Sequence, residues 1–177
     1  VLDVIDRGWD LAIFHPPCTF LTVAANAWYY HPEDKHLPYD ERRPHPNYPT
    51  RREDRERAVE FVELLLAADI PHIALENPIG ILSTRIRKPE QIIQPYRFGD
   101  DASKATCLWT KNLPRLHWTR YVQPRITADG KKRWANQTDS GQNRLGPSED
   151  REMIRSTTYP GIARAWAMQW GDHCARL

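Results

Sequence analysis

The feature that most constrains this chain is the segment 9–18, which reads Trp-Asp-Leu-Ala-Ile-Phe-His-Pro-Pro-Cys. Leu11–Phe14 is an unbroken apolar run of strand length, too short for a helix. Pro16 and Pro17 fix two successive φ angles and remove two backbone donors, so a sheet ladder cannot continue through them. Cys18 is therefore predicted to lie at the carboxyl end of a strand, the edge where open α/β sheets bind ligands.

A second strand is predicted one helix later. A capping-box pattern begins at Thr50, and apolar residues at helical spacing predict a helix over 51–68. Residues 72–75 form another short apolar run, which ends in Glu76 followed by Asn-Pro. Because the crossover in a strand–helix–strand unit is right-handed, its two strands lie parallel and their carboxyl ends share an edge. Cys18 and Glu76 are therefore predicted to face one crevice.

The remaining segments complete an α/β pattern. A helix is predicted to start at Thr19 with that residue as its cap, and the Pro- and His-rich stretch 31–49 is predicted to be a long functional loop. A third strand over 104–110 and helices over 147–154 and 161–170 follow. We expect one domain over residues 1–177, with a Rossmann-like, doubly wound, mostly parallel sheet.

Composition limits the class of protein. The chain has 177 residues, is 40% hydrophobic and carries a formal charge of +2, with no apolar run of transmembrane length and no signal-peptide pattern. A soluble intracellular protein is expected. Its three cysteines, Cys18, Cys107 and Cys174, have no spacing typical of zinc sites or disulfide frameworks. The histidines, His15 among them, lack helical ligand spacing, so no metal site is expected and loop packing or solvent exposure is preferred.

A basic segment lies between the third strand and the last helices. Residues 111–144 contain eight lysines and arginines against two aspartates, with Trp118, Tyr121 and Trp134 interleaved. Such a segment suits a phosphate backbone and unstacked bases. A solvated surface hairpin accounts for the same pattern equally well. We interpret 111–146 as a basic insertion or small recognition region.

The two strand-end motifs resemble the catalytic pair of DNA cytosine-5 methyltransferases. In that family the nucleophile lies in a Pro-Cys motif and the acid in a Glu-Asn-Val motif. Pro16-Pro17-Cys18 resembles the first and Glu76-Asn77-Pro78 resembles the second, and the two occur in the same order. The runs 94–99, 104–109 and 155–163 extend the resemblance to small phage and prophage proteins usually described as such enzymes. A partial methyltransferase fold in a bacterial cytoplasm is thus implied.

The resemblance implies a role for each matching residue. Cys18 would add to carbon 6 of cytosine and Glu76 would contact ring nitrogen 3 and the exocyclic amine. A helix starting near Thr19 would lower the thiol pKa through its positive end. The expected substrate-binding residues are Pro17, Asn77, Pro78 and Lys104. Lys104 would bind phosphate near the target base, although a strand-edge lysine that discourages aggregation explains it equally.

S-adenosylmethionine is the cofactor and DNA the partner that the resemblance implies. Pro16, Ser156 and Thr157 are the expected cofactor-binding residues. The family's glycine-rich first strand would lie upstream of Trp9, so we expect either roughly 40 to 60 further N-terminal residues, about two strand–helix units, or completion by another chain. The recognition region is short, which favours loose sequence specificity.

Three functional classes follow from the sequence. The first transfers a methyl or larger group to carbon 5 of cytosine in DNA. The second modifies free pyrimidine nucleotides with the same cysteine chemistry and would not require the basic segment. The third is a non-catalytic nucleic-acid-binding remnant, in which Cys18 is a packed thiol and Glu76 a turn residue. The target sequence and the oligomeric state do not follow from the sequence.

Overall fold

The computed structural model describes residues 1–176, except for the side chain of residue 152. The chain forms two compact units. The first comprises Val1–Gln91 with Thr106–Asn112, and the second comprises Ile92–Ala105 with Leu113–Leu177. The prediction of a single domain over residues 1–177 stays a prediction.

Helices and strands alternate along the first unit and are short in the second. The strands in the described part of the chain are β1 (Leu11–Phe14), β2 (His72–Pro78), β3 (Gln91–Ile93), β4 (Thr106–Lys111), β5 (Arg125–Ile126) and β6 (Lys132–Arg133). The α-helices are α1 (Arg51–Leu66), α2 (Leu82–Arg85), α3 (Arg151–Ser156), α4 (Pro160–Ala165) and α5 (Gly171–Cys174). Turns of 3₁₀ helix cover Leu2–Val4, Val23–Trp28, Pro32–His36 and Pro95–Arg97, and a π-helical turn covers Trp166–Trp170. Within residues 1–176, none of these helices has the length and hydropathy needed to cross a membrane.

The main sheet is small and mixed. β1 lies parallel to β2, whereas β2 lies antiparallel to β4, and the strand order is β1-β2-β4-β3. The α/β prediction is confirmed at this level, but the strands do not form the doubly wound, mostly parallel sheet that was expected. A parallel pair needs a long crossover, usually a helix. β1 and β2 have one in α1, whereas the only α-helix between β2 and β4 is the single turn α2.

The strand–helix–strand unit around α1 is confirmed. α1 ends two residues before the predicted boundary, and Thr50 donates to the Asp54 carboxylate at 3.0 Å instead of closing a capping box. Its buried face, Val59, Val62 and Leu65, belongs to the same apolar core as residues of β1, β2 and β4. Burying each aliphatic side chain contributes roughly 1.5–3 kcal/mol. This burial fixes α1 across the parallel pair of strands.

The helices of the second unit lie close to their predicted positions. α3 begins four residues after the predicted start, and helical structure is continuous from α4 through the π-helical turn to α5, past the predicted end at residue 170. Trp166 and Trp170 stack in parallel within this run, with ring centroids 5.9 Å apart. Trp170 is fully buried and donates to the carbonyl of Pro114 at 2.9 Å.

The long loop 31–49 contains an ion pair between Arg43 and the buried Asp34. Arg43 donates to the buried Asp34 carboxylate from its guanidinium group at 2.6 and 3.0 Å and from its backbone N–H at 2.8 Å. The hydrogen bonds from Arg43 hold the pKa of Asp34 well below its ordinary value of 3.8. The sequence predicted the loop but not this internal clasp.

Acid is expected to release this loop. Because the folded-state pKa of Asp34 is depressed, its stabilising contribution is complete above about pH 4 and disappears as the pH falls further. Asp34→Asn should lower the melting temperature at neutral pH and reduce the change of melting temperature with pH. It should also make the loop more sensitive to limited proteolysis. Glu41→Gln, at an exposed position of the same loop, is the matched control. Identical melting curves for wild type and Asp34→Asn from pH 7 to 3 would show that the Asp34–Arg43 ion pair does not stabilise the loop.

Candidate active site

The site is organised by the register of the two parallel strands. Phe14 pairs with Leu75, so the next residues along the chain, His15 and Glu76, emerge side by side. His15 Nδ1 lies 3.2 Å from Glu76 Oε2. Both side chains are partly accessible to solvent. The register alone thus brings an imidazole and a carboxyl group together where the strands separate.

A second contact ties the double-proline turn to β2. The Asn77 side chain is 1% exposed and donates from Nδ2 to the carbonyl of Pro16 at 3.0 Å. Its Oδ1 is buried and has no hydrogen-bond partner. A buried hydrogen bond contributes about 1 kcal/mol net, and breaking it leaves two buried polar groups unpaired. Asn77 therefore fixes the start of the segment that carries Cys18.

Cys18 is exposed and lies in a turn, not at the start of an α-helix. Its carbonyl accepts from the N–H groups of Leu21 and Thr22 at 3.0 and 3.2 Å. The next helix, Val23–Trp28, is a six-residue 3₁₀ helix that begins five residues later. The helix predicted at Thr19 is wrong, and the helix-dipole argument for a lowered thiol pKa fails with it, because that effect decays within one turn.

The chain after Cys18 is joined to the chain after Glu76. Leu21 accepts from the N–H of Ile81 at 2.8 Å, Val23 donates to Ile79 at 3.3 Å, and Thr22 forms a bridge with Gly80. This pairing is close, since a Cβ atom on Gly80 would lie 1.9 Å from the Leu21 carbonyl oxygen. The Cys18 and Glu76 segments thus remain on the same edge of the sheet, and Pro17 and Pro78 flank them there.

The other cysteines differ chemically from Cys18. Cys107 lies opposite Asn77 in the β2–β4 pair and is buried. Burial, and secondarily the negative charge of Glu76, raises the pKa of its thiol to about 11, so it remains protonated at neutral pH. Cys174 is half-buried in the second unit. Cys18 is therefore the exposed thiol among the three described cysteines, and it follows His15 by three residues in the chain.

The other predicted site residues belong to the second unit. Lys104 donates from Nζ to the carbonyl of Arg155 at 3.0 Å, next to Ser156. Ser156 and Thr157 both donate their hydroxyl groups to the carbonyl of Met153, at 2.8 and 3.0 Å. Residues predicted from two separate motifs are thus brought together within this unit, around the end of α3.

These residues do not outline a site for S-adenosylmethionine. The hydroxyl protons of Ser156 and Thr157 are used by a helix-end carbonyl, and the Pro16 carbonyl accepts from Asn77. In the described part of the chain, the turn after β1 carries Pro16 and Pro17 where dinucleotide-type cofactor sites place glycines for close backbone approach. Gly80, after β2, is occupied by its close pairing with the Leu21 backbone.

The basic segment uses much of its charge internally. Arg125 pairs with Asp139 at 2.5 Å and Lys131 with Asp129 at 2.6 Å, while Arg133 donates to the Asp139 carbonyl at 3.0 Å. Trp134 is buried and stacks on a tyrosine ring, with centroids 4.0 Å apart. The predicted hairpin is present as β5 and β6. Its role in binding phosphate stays a prediction.

The sequence predicted loop packing or solvent exposure for His15 and did not predict its partnership with Glu76. The signal was present in the strand register, because each residue immediately follows the last paired residue of its strand. The described residues contain no cluster of three histidine, cysteine or acidic side chains able to hold a metal ion. Comparison of the chain with protein-family models, curated proteins and solved structures yields no match.

Proposed function

We propose that this chain is a DNA cytosine-5 methyltransferase in which Cys18 is the nucleophile and Glu76 contacts the target base. The observation that carries the proposal is the shared sheet edge. The exposed thiol follows β1 there, and His15 and Glu76 contact each other directly after the last paired residues of β1 and β2. The β1-α1-β2 unit is then the part of a partial methyltransferase fold that presents the reacting groups. The resemblance of the Pro-Pro-Cys and Glu-Asn-Pro motifs supplies the reaction class.

Carbon 5 of cytosine is a poor nucleophile until a thiolate adds to carbon 6. In the proposed reaction, the Cys18 Sγ–C6 bond forms, the C5=C6 electron pair shifts into the ring, and negative charge develops at nitrogen 3. Glu76 donates a hydrogen bond or proton there. With a sulfonium methyl donor bound, carbon 5 would take the methyl group and the donor would leave as a neutral thioether. Solvent would then take the carbon 5 proton, the electrons of that C–H bond would re-form C5=C6, the Cys18 thiolate would leave, and any proton given to nitrogen 3 would return to Glu76. S-adenosylmethionine is the methyl donor that the resemblance implies.

His15 acts in this proposal as a positioning residue for Glu76. By contacting Oε2 it orients the carboxyl group so that Oε1 is presented to the base. His15→Ala should slow adduct formation on the order of ten- to a hundredfold through lost orientation. His15→Asn retains an N–H near the position of Nδ1 and should recover much of the rate.

The controls for His15 separate positioning from folding. His36→Ala alters an exposed histidine of the loop 31–49 and should leave both rate and melting temperature unchanged. Equal rates for wild type, His15→Ala and His15→Asn would contradict the positioning role. If the melting temperature of His15→Ala alone falls far enough that the smaller folded fraction explains its loss of rate, His15 has a structural role instead.

Mechanism-based trapping tests the proposed function directly. Oligonucleotides bearing 5-azacytosine report the thiol addition by itself, because ring nitrogen 5 takes up a proton and no methyl donor is needed. Oligonucleotides bearing 5-fluorocytosine with S-adenosylmethionine report the complete transfer, since fluorine at carbon 5 blocks release. Covalent adducts are expected with both by intact mass. Adducts with the corresponding free nucleotides, but not with DNA, would favour the nucleotide-modifying class, and adducts with neither would favour a non-catalytic protein.

A further inference from the structure

A surface built from arginines and aromatic rings begins immediately after Cys18 in the first unit. We call it the Arg–aromatic surface. Its members lie on the turn at Phe20, on the 3₁₀ helix Val23–Trp28, on the loop that follows, and on the first turns of α1, and one of them, Tyr29, is buried. They are Phe20, Trp28, Tyr29, Tyr30, Tyr39, Arg42, Tyr48, Arg51, Arg52 and Arg55.

The guanidinium groups lie over the rings. Arg42 is 4.2 Å from the ring centroid of Tyr39, and Arg52 is 4.6 Å from that of Tyr30. Arg51 lies 5.4 Å from the ring centroid of Tyr48 and donates to the carbonyl of Thr19 at 3.1 Å. Since Thr19 follows Cys18, the surface is attached directly to the turn that presents the thiol.

The arginines of this surface donate to backbone carbonyls, and Arg55 also donates to the Asn26 side chain and lowers the pKa of Glu56 through its charge, but none of them forms a close ion pair with a described carboxylate. Within residues 1–176, no carboxylate lies within ion-pair distance of Arg42, Arg51, Arg52 or Arg55. On the same helix, by contrast, Arg57 lies near both Glu53 and Asp54. The Nε atoms of Arg51 and Arg52 are also buried without a hydrogen-bond partner. Guanidinium groups in this state are suited to phosphate oxygens, which satisfy charge and donors together.

Three of the rings are available for stacking. Tyr39 is 69% exposed, Trp28 46% and Tyr48 44%. Trp28 and Tyr48 meet edge to face, with centroids 5.6 Å apart at 83°, so that neither ring covers the other face to face. Exposed aromatic faces interleaved with cations characterise surfaces that bind single strands, because unpaired bases offer a face to stack while duplex bases do not.

We infer that the Arg–aromatic surface binds a single-stranded segment of DNA beside Cys18. Its arginines contact phosphates, and Trp28, Tyr39 and Tyr48 stack on unpaired bases. This inference rests on the proposed function, which requires the target base to leave the duplex stack. It places the main DNA contact in the first unit, not in the basic segment 111–144.

The test measures binding without chemistry. In a Cys18→Ala background, fluorescence anisotropy with a single-stranded oligonucleotide and with its duplex should show tighter binding of the single strand. Tyr39→Ala should weaken single-strand binding on the order of tenfold, whereas Tyr39→Phe, which keeps the ring, should not. Arg42→Gln with Arg52→Gln should weaken it and flatten the logarithmic salt dependence by about 0.7 per lost phosphate contact.

The controls distinguish this surface from general charge. Arg57→Gln removes a carboxylate-paired arginine from the same helix and should change affinity less than twofold. Melting temperatures identify any variant that fails to fold, and Tyr39→Ala remains decisive because its ring is largely exposed. Unchanged affinity in Tyr39→Ala and in the Arg42/Arg52 variant, or equal binding of duplex, would overturn the inference. So would a larger loss on charge reversal of Lys131, Lys132 and Arg133.

The two proposals fail separately. Trapped adducts that depend on Cys18, combined with normal binding by the Arg–aromatic variants, would leave the proposed function intact and overturn only this inference. Loss of single-strand binding in those variants, combined with no adduct to any pyrimidine, would overturn the enzymatic function and leave the binding surface in place.

Discussion

Cys18→Ala is expected to abolish covalent capture of 5-azacytosine DNA. In the proposed reaction Sγ of Cys18 bonds to carbon 6, and among the three described cysteines Cys18 alone is exposed. Removing a catalytic nucleophile costs on the order of 10³-fold or more in rate. The measurement is the adduct band under denaturing conditions, quantified over time for variant and wild type.

The matched control is Cys174→Ala, which removes a half-buried thiol of the second unit. It should form the adduct at the wild-type rate. Cys107 needs no such control at neutral pH, because its burial keeps the thiol protonated and inaccessible. Adduct formation by Cys18→Ala at a rate close to wild type would refute the assignment of the nucleophile.

Local pattern was sufficient to predict the strand–helix–strand unit. β1 ends where prolines remove backbone donors, and α1 follows the helical spacing of apolar residues, so each boundary has a cause within a few residues of sequence. The parallel register followed from the crossover rule. The common edge for the motifs at Cys18 and Glu76 could therefore be predicted without coordinates.

The parts that sequence did not predict depend on non-local contacts. β4 pairs antiparallel to β2, which no local pattern of residues 104–110 encodes. The segment after Cys18 has helical composition, yet its backbone is drawn into pairing with residues 79–81 and forms only a turn before the 3₁₀ helix. The Arg–aromatic surface likewise combines segments up to about 30 residues apart, including Arg51 and Phe20.

Non-local contacts also decide which charged residues form ion pairs. The basic segment 111–144 stands out in the sequence because it holds eight lysines and arginines, but Asp139 pairs with Arg125 and Asp129 with Lys131. The region 19–57 looks balanced in charge, yet five of its seven carboxylates pair with Arg43, Arg57 or Arg85. Arg51 and Arg52 are left facing rings. Net charge along the sequence therefore does not identify which cations are available to a ligand.

Gly80→Ala is expected to impair both stability and trapping, because it acts on the pairing that holds the two motif-bearing segments together. The new Cβ would lie 1.9 Å from the Leu21 carbonyl oxygen and 2.9 Å from the Thr22 Cα. Both atoms are backbone, so the clash can be relieved only by separating the segments and weakening the hydrogen bond from Ile81 to Leu21. Overpacking of this kind costs about 1–3 kcal/mol of unfolding free energy.

The trapping rate should fall beyond what the population of folded protein explains, because the turn at Cys18 shifts relative to Glu76. Urea unfolding followed by circular dichroism gives the first quantity, and adduct formation well below the unfolding transition gives the second. Gly146→Ala is the matched control, since no atom lies within 4 Å of its added Cβ. If Gly80→Ala has wild-type stability and a wild-type trapping rate, the close contact of Gly80 with the Leu21 and Thr22 backbone does not hold the two segments together. The shared sheet edge would then lose its structural basis.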